Sequence, residues 1–527
     1  MVDRLPDRPA PAAPEAPAFP GSPYIATHAP GRRAAYAAIA VLAGIGATFG
    51  NGMVNVNIAS LAGGQGLYTA EASLLPAVYV GFNACANLIL VKARAQFGIP
   101  QVTLTLLATY ALAALLHLCV PGLAAAIVVR AACGLAAAAL TTTTIYHLLQ
   151  VFSLKARPLA LVVGVSLPQF GPPLARLMSL DFLAESQWQG LLLTELCIAL
   201  VLLGAMTLVP LPPSERSQAF EGMDLVTISL LVPAGLLLSA VLGLGRILWW
   251  TDTPWLGLAL AGALVLASAA WMIERQRARP LLQLRWMLTG DIVRFAMVAF
   301  LVRIALAEQT YGAVGLLSAG GLNNDQLHGL FLAVTAAMFL GIIVAALTLS
   351  ERNLPWQVAV AALCIALAAW LDSGSNSLTR PPQLMLSQSL VAFGTTLFVG
   401  PTLVFGFLRM SARGGDHLVS FIVLFSVSQN IGGLAGSALL GSVQTIMAKV
   451  HAQVMSERLL ASDPQTAARL AQGSGALLQS LMTEANTLAY NDVFRLVALA
   501  ALAVAAYLAC ETWSRRRAAR QRLEYAA

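Results

Sequence analysis

Charge is scarce in this chain. Only 10% of its 527 residues are Asp, Glu, Lys or Arg, while 58% are hydrophobic. Soluble domains carry about a quarter charged residues, so this composition excludes a water-soluble globular protein. Apolar stretches of about 20 residues, the length that crosses a hydrocarbon core of roughly 30 Å, fill most of the chain. They leave no room for a large soluble domain. Catalytic signatures are missing as well. There is no Walker phosphate loop, no His-Glu-x-x-His run and no paired-cysteine motif, so an enzyme, a metal site or a cofactor is not expected. The six cysteines (Cys85, Cys119, Cys133, Cys197, Cys364 and Cys510) lie inside apolar stretches. They read as small packing residues rather than a disulfide framework. The net charge of +7 follows membrane sidedness, which argues against nucleic acid as a partner.

What remains is a succession of about 14 apolar spans. They begin near Ala35, Ala72, Gln101, Leu123, Pro158, Gly190, Asp224 and Trp255, then near Asp291, Leu327, Trp356, Gln383, Leu418 and Val493. Lys and Arg set the orientation. With the N-terminus inside, internal segments collect Arg32, Arg33, Lys92, Arg94, Lys155, Arg157, Arg216, Arg275, Arg277, Arg279, Arg285, Arg352, Arg409 and Arg413, and the first three external loops have none. Both termini are therefore expected in the cytoplasm, with the chain spanning a bacterial inner membrane among lipids. Residues 1–33, rich in Pro and Ala and without a cleavage pattern, read as a disordered tail. Two halves are expected at 34–210 and 290–512, joined by a two-span linker at 211–289. A long polar external loop covers 445–490, and a basic tail covers 513–527. Many transporters are built from repeated halves with the substrate site between them.

An ionisable side chain inside a span is costly and is read first as functional. Arg130 in the fourth span has small neighbours. Two readings stand: a fixed charge that tunes a proton-binding carboxylate or attracts an anionic group, and a structural clamp on carbonyls. In the ninth span, Asp291 and Arg294 read as an interfacial pair. Arg303 and Glu308 lie deeper and about 140° apart on the helix, so each needs another partner or water. Glu308 at a depth similar to Arg130 is a candidate proton site, against a structural ion pair. Glu195 in the sixth span is the other candidate, although its span reads as peripheral. Asp492 and Arg495 read as an interfacial pair. Amides at Asn51, Asn55, Asn83, Gln388 and Gln429 can bond across helices or face a substrate cavity. In the fifth span, Pro168, Gly171 and Pro172 predict a bend and a close helix contact, which in a rocking transporter seals one side of the cavity.

Several of these residues together resemble the fourteen-helix drug:proton antiporter branch of the major facilitator superfamily, the EmrB/QacA-like pumps. Met53-Val54-Asn55-Val56 looks like the first-span motif. Arg130 and Gly134 match an Arg-x-x-Gln-Gly motif with Cys133 in place of Gln. Gly171-Pro172 after Pro168 resembles the antiporter motif, and Trp188 fits the tryptophan that follows it. Gly432-Gly433, Gly436 and the stretch from His451 to Phe494 are also similar. The chain departs from that branch in having Gly50 and Asn51 where a first-span acid is usual. It also has Ala175-Arg176 for a second glycine pair, and Gln429 where relatives often carry arginine.

The resemblance implies an all-α polytopic membrane protein of major facilitator fold, two six-helix bundles plus two linker helices. It implies proton-driven efflux of small amphipathic compounds by alternating access, with spans one, four, nine and twelve lining the cavity. With no first-span acid, the proton site falls to Glu308, with Arg130 assisting release. A periplasmic adaptor protein and an outer-membrane channel are implied partners, docking on 445–490. The rivals are a solute importer or symporter of the same fold, and a membrane receptor or scaffold that transports nothing.

Overall fold

The computed structural model describes residues 22–25, 28–120, 122–178, 188–214, 216–412, 417–460, 462–471 and 473–526. Residues 1–21 of the expected tail, Arg413, and the side chains of Trp188, Arg520 and Arg522 lie outside that description. Long apolar runs, most of them opened by Pro or closed by Gly, fold into helices α1 Pro30–Val56, α2 Thr69–Phe97, α3 Ile99–Cys119 and α4 Leu123–Val151. They continue as α5 Arg157–Ala175, α6 Trp188–Leu208, α7 Gly222–Leu244 and α8 Pro254–Gln276. A ninth element, α9, is interrupted: α-helix Gly290–Ala305, a π turn Glu308–Ala313, then α-helix Val314–Ala319. Five more follow: α10 Asn324–Leu347, α11 Leu354–Asp372, α12 Pro381–Ser411, α13 Leu418–Glu457 and α14 Ser474–Ala526. Among the described residues, all but α9 include a stretch long and apolar enough to cross a membrane, 13 in number.

The helices pack as two groups. In the first, α4 lies against α1, α2 and α3, and α6 closes on α3 and α1. In the second, α12 packs between α10 and α11, and α14 lies against α11 and α13. Each group has its own apolar core, around Leu107, Leu140 and Leu202 in the first and Val391, Phe398 and Phe421 in the second. The groups meet where α2 crosses α13 and where α5 crosses α12 and α10.

The two linker helices are peripheral: 28% of the apolar window of α7 and 22% of that of α8 is buried, against 72% for α12. A lipid-facing helix pair needs an anchor, and charge supplies it. Asp224 at the start of α7 accepts from Lys92 of α2 and, at 2.8 Å, from Arg277 after α8. Arg277 also binds Glu274 at 2.6 Å, and Thr227 donates to that carboxylate at 2.6 Å. At the other end, Trp250 donates to Ser442 of α13 at 2.7 Å.

Two expectations are corrected. Part of the N-terminal tail is packed: Pro23 bridges Ser214, Tyr24 N donates to Pro213 O at 3.0 Å, and Gln150 holds the Tyr24 carbonyl at 3.1 Å. The segment 445–490 is mostly helix. α13 has 40 residues, about 60 Å at 1.5 Å per residue, so it projects far beyond a hydrocarbon core. His451–Asp492 at 2.7 Å and Gln444–Asn486 at 3.0 Å tie the projections of α13 and α14 together. The short helix Pro464–Ala471 at the tip is capped by Asp463, whose hydrogen bonds from Thr466 hold its carboxyl below the usual range. Asp291, for its part, meets Arg515 at 3.6 Å.

Removing one member of a buried ionic cluster leaves its partners uncompensated, at about 3–5 kcal/mol. Asp224→Ala is therefore expected to lower the melting temperature of the detergent-solubilised protein clearly. Glu511→Ala, which breaks a partly exposed pair with Arg515, is expected to change it little.

Candidate functional site

A cavity of about 870 Å³ lies between the two groups. From the first group, α1, α2, α4 and α5 line it; from the second, chiefly α9, α12 and α13; and the end of α7 contributes Gly243, Arg246 and Ile247. Asn51, Asn55, Asn83, Gln429 and Arg303 face it, whereas Gln388 does not and is buried behind α9. The wall is thus wider than the four spans expected from the resemblance. Buried polar atoms need partners, yet Asn51 Oδ1, Asn87 Oδ1 and both amide atoms of Gln429 make no hydrogen bond among the described residues. They are available to a polar occupant.

At Pro168, Gly171 and Pro172, α5 breaks into a 3₁₀ turn, Leu167–Phe170, and resumes as helix. Thr48 donates to the Pro168 carbonyl. A Cβ on Gly171 would stand 2.7 Å from Phe49 N of α1, so only glycine permits this approach. Beyond it, Asn324 at the start of α10 donates to the carbonyls of Arg176 at 3.0 Å and Met178 at 3.3 Å. The Arg176 guanidinium lies 5.1 Å from the centre of the Phe331 ring. The two groups are thereby joined at the C-terminal end of α5.

The ionisable residues fall into separate clusters. Arg130 and Glu308 are not brought together. Arg130 is ion-paired with Glu195, both almost wholly buried, and Tyr110 Oη donates to the same carboxylate at 3.3 Å. Glu195 therefore points into the bundle although its helix lies at the edge. The reason lies in α1: a Cβ on Gly50 would be 2.8 Å from Tyr110 Oη and 3.2 Å from Glu195 Oε1. The missing first-span side chain leaves the room that the sixth-span carboxylate occupies.

Glu308, fully buried at the start of the π turn, meets Asp372 at the end of α11. Gln388 of α12 donates to both, at 2.9 Å to Glu308 and 2.7 Å to Asp372. Neither carboxyl meets a basic side chain among the described residues. The next residue of the turn, Gln309, lines the cavity and donates to the Gln388 backbone carbonyl at 3.2 Å. Asp372 is the residue that sequence reasoning missed. It sits at the last helical position before Ser373-Gly374, where an acid reads as loop.

Arg303 has no carboxylate partner among the described residues; its Nε donates to the Gln429 carbonyl at 3.0 Å. It is seated on the glycine face of α13. Cβ atoms on Gly432 and Gly433 would come within 3.2 Å and 3.1 Å of its side chain.

Glu195→Gln strands a buried Arg130 and is expected to destabilise the protein by about 3 kcal/mol or more. The double variant Arg130→Met with Glu195→Met is expected to recover most of that loss in thermal unfolding. Recovery of stability without recovery of transport would give the pair a role beyond packing.

No protein-family model and no curated protein sequence matches the chain. Solved structures do. A bacterial homologue of the human drug peptide transporters PepT1 and PepT2 aligns over 92% of this chain and 99% of its own, with 13% identity and a TM-score of 0.58. A structure from work on substrate recognition in proton dependent oligopeptide transporters covers 92% and 99%, with 16% identity and a TM-score of 0.55. The major facilitator proton:xylose symporter XylE covers 90% and 95%, with 13% identity and a TM-score of 0.51. At these identities the likeness establishes the fold: an all-α polytopic membrane protein of the major facilitator type.

Proposed function

We propose that this protein is a proton-coupled secondary transporter that exports small amphipathic solutes by alternating access, with the proton carried by the Glu308–Asp372 pair. The observation that carries the reading is that pair itself: two buried carboxyl groups sharing one amide donor and, among the described residues, no cation. Two like charges in an apolar interior cannot both be ionised cheaply, so a single proton shared between them satisfies the site. Gln309 joins this pair to the cavity wall, so an occupant that moves the π turn also moves the Gln388 amide that donates to both carboxyls. Arg130 and Glu195, already neutralised by each other, act as a structural tie in the first helix group.

Export is favoured by the resemblance of Gly171-Pro172, after Pro168, to the antiporter motif; the stretch packs here against α1. A second reading, an importer or symporter, draws on the printed descriptions of a proton:xylose symporter and of proton dependent transporters among the structural neighbours. Direction separates the two. Inside-out vesicles with an acidic lumen should accumulate the solute if the protein exports against protons, and should lose it if the protein is a symporter. Glu308→Gln and Asp372→Asn should each abolish the pH dependence of transport while leaving solute binding within a few-fold. Full pH-driven transport by Glu308→Gln would remove the assignment.

A further inference from the structure

The cavity is lined by five arginines, Arg94, Arg157, Arg176, Arg246 and Arg303, and by no Asp or Glu among the described residues. They are spread along its length. Arg94 near the end of α2 and Arg157 opening α5 stand at one end. Arg303 lies about 20 Å into α9. Arg176 and Arg246 follow the far ends of α5 and α7. Arginine stays charged in proteins, and a buried charge calls for a counter-charge. Arg94, Arg176, Arg246 and Arg303 have no ion-pair partner among the described residues. Arg94 is only 6% exposed, and its Nη2 makes no hydrogen bond.

The seats of two of them are built for guanidinium groups rather than for carboxylates. Gly441 of α13 would place a Cβ 2.2 Å from the Arg246 side chain, just as Gly432 and Gly433 admit Arg303. Arg246 also lies 5.2 Å from the centre of the Tyr311 ring, itself in the cavity wall. The protein thus holds these cations in the cavity wall with glycine clearance and aromatic contact, and leaves their charge uncompensated. The rest of the wall mixes amides and hydroxyls with apolar side chains, among them Phe407, Phe421 and Phe425.

We infer that the cargo is an amphipathic organic anion, its carboxylate, sulfonate or phosphate head bound by the cavity arginines and its apolar body lying against the phenylalanines. This rests on the transport reading above and names its substrate class. The fork of an arginine binds such heads in two parallel hydrogen bonds. A cationic cargo would meet the like charges of Arg94, Arg176, Arg246 and Arg303 and, among the described residues, no acid in the wall.

The test is equilibrium binding to the purified full chain in phosphatidylcholine nanodiscs. Three probes share one ring system: naphthalene-2-sulfonate, the neutral naphthalene-2-sulfonamide and (2-naphthylmethyl)trimethylammonium. The sulfonate should bind about tenfold or more tighter than the cation. Arg303→Gln and Arg246→Gln should each weaken the sulfonate about tenfold and leave the sulfonamide unchanged, with Arg303→Lys intermediate. Phosphatidylglycerol that displaces the sulfonate would identify the anion as a lipid headgroup; indifference to that lipid would identify a free solute. Equal or tighter binding of the cation, binding of none of the three, or equal losses for all three in the glutamine variants would overturn the inference. Arginine-dependent sulfonate binding with no movement under a pH gradient would refute the transport reading and leave the anion assignment standing.

Discussion

A charge held away from water needs a counter-charge, a hydrogen-bonded cage or a proton, and this protein answers that need differently in different places. Arg130 and Glu195 neutralise each other inside the first helix group. Lys92, Asp224, Arg277 and Glu274 do so at the edge and fasten the linker helices. Glu308 and Asp372 share the Gln388 amide and meet no basic side chain among the described residues, so a proton is the remaining means of balance. Arg94, Arg176, Arg246 and Arg303 of the cavity wall, without an ion-pair partner among the described residues, are left for whatever enters. Sorting the charges this way keeps acids out of the cavity wall and cations away from the acid pair.

That separation gives the coupling a mechanical basis. The acid pair and the cavity share one element, the π turn of α9, in which Glu308 faces Asp372 and Gln309 to Tyr311 face the cavity. A π turn is a local widening of the helix, frequent at functional sites. Packed directly against it, α13 is lined with glycines where α9 presses in: a Cβ on Gly436 would stand 2.8 Å from Ile304 O. A close-packed contact of this kind resists small deformation and shifts as a unit, which suits transmission between an occupant and a proton.

Much of the architecture was legible in the sequence because lipid imposes it: span length and the Pro-Gly break in α5 both reflect local rules. The two ends of 445–490 read as loop because their polar residues carry no membrane signal, although helix propagates through them. Glu308 was legible as an acid inside a span. Asp372 was not, since its role depends on α11 and α12 bringing a helix end beside Gln388. The Arg130–Glu195 pair was hidden for a similar reason: it depends on the space left by Gly50, a side chain that is absent. The arginine wall escaped notice because four of its members sit at helix ends: Arg94 and Arg157 read as topology signals, Arg176 as a departure from a glycine pair, and Arg246 lies between the two linker spans.

The central claim is that Glu308 and Asp372 together retain one proton that solute binding displaces. Infrared difference spectroscopy of the protein in lipid at neutral pH, with and without bound solute, observes the carboxylic acid C=O stretch directly. The account predicts a protonated-acid band that disappears on solute binding and is missing from the double variant Glu308→Gln with Asp372→Asn. A wild-type spectrum with no such band, or a band indifferent to both solute and substitution, would contradict it.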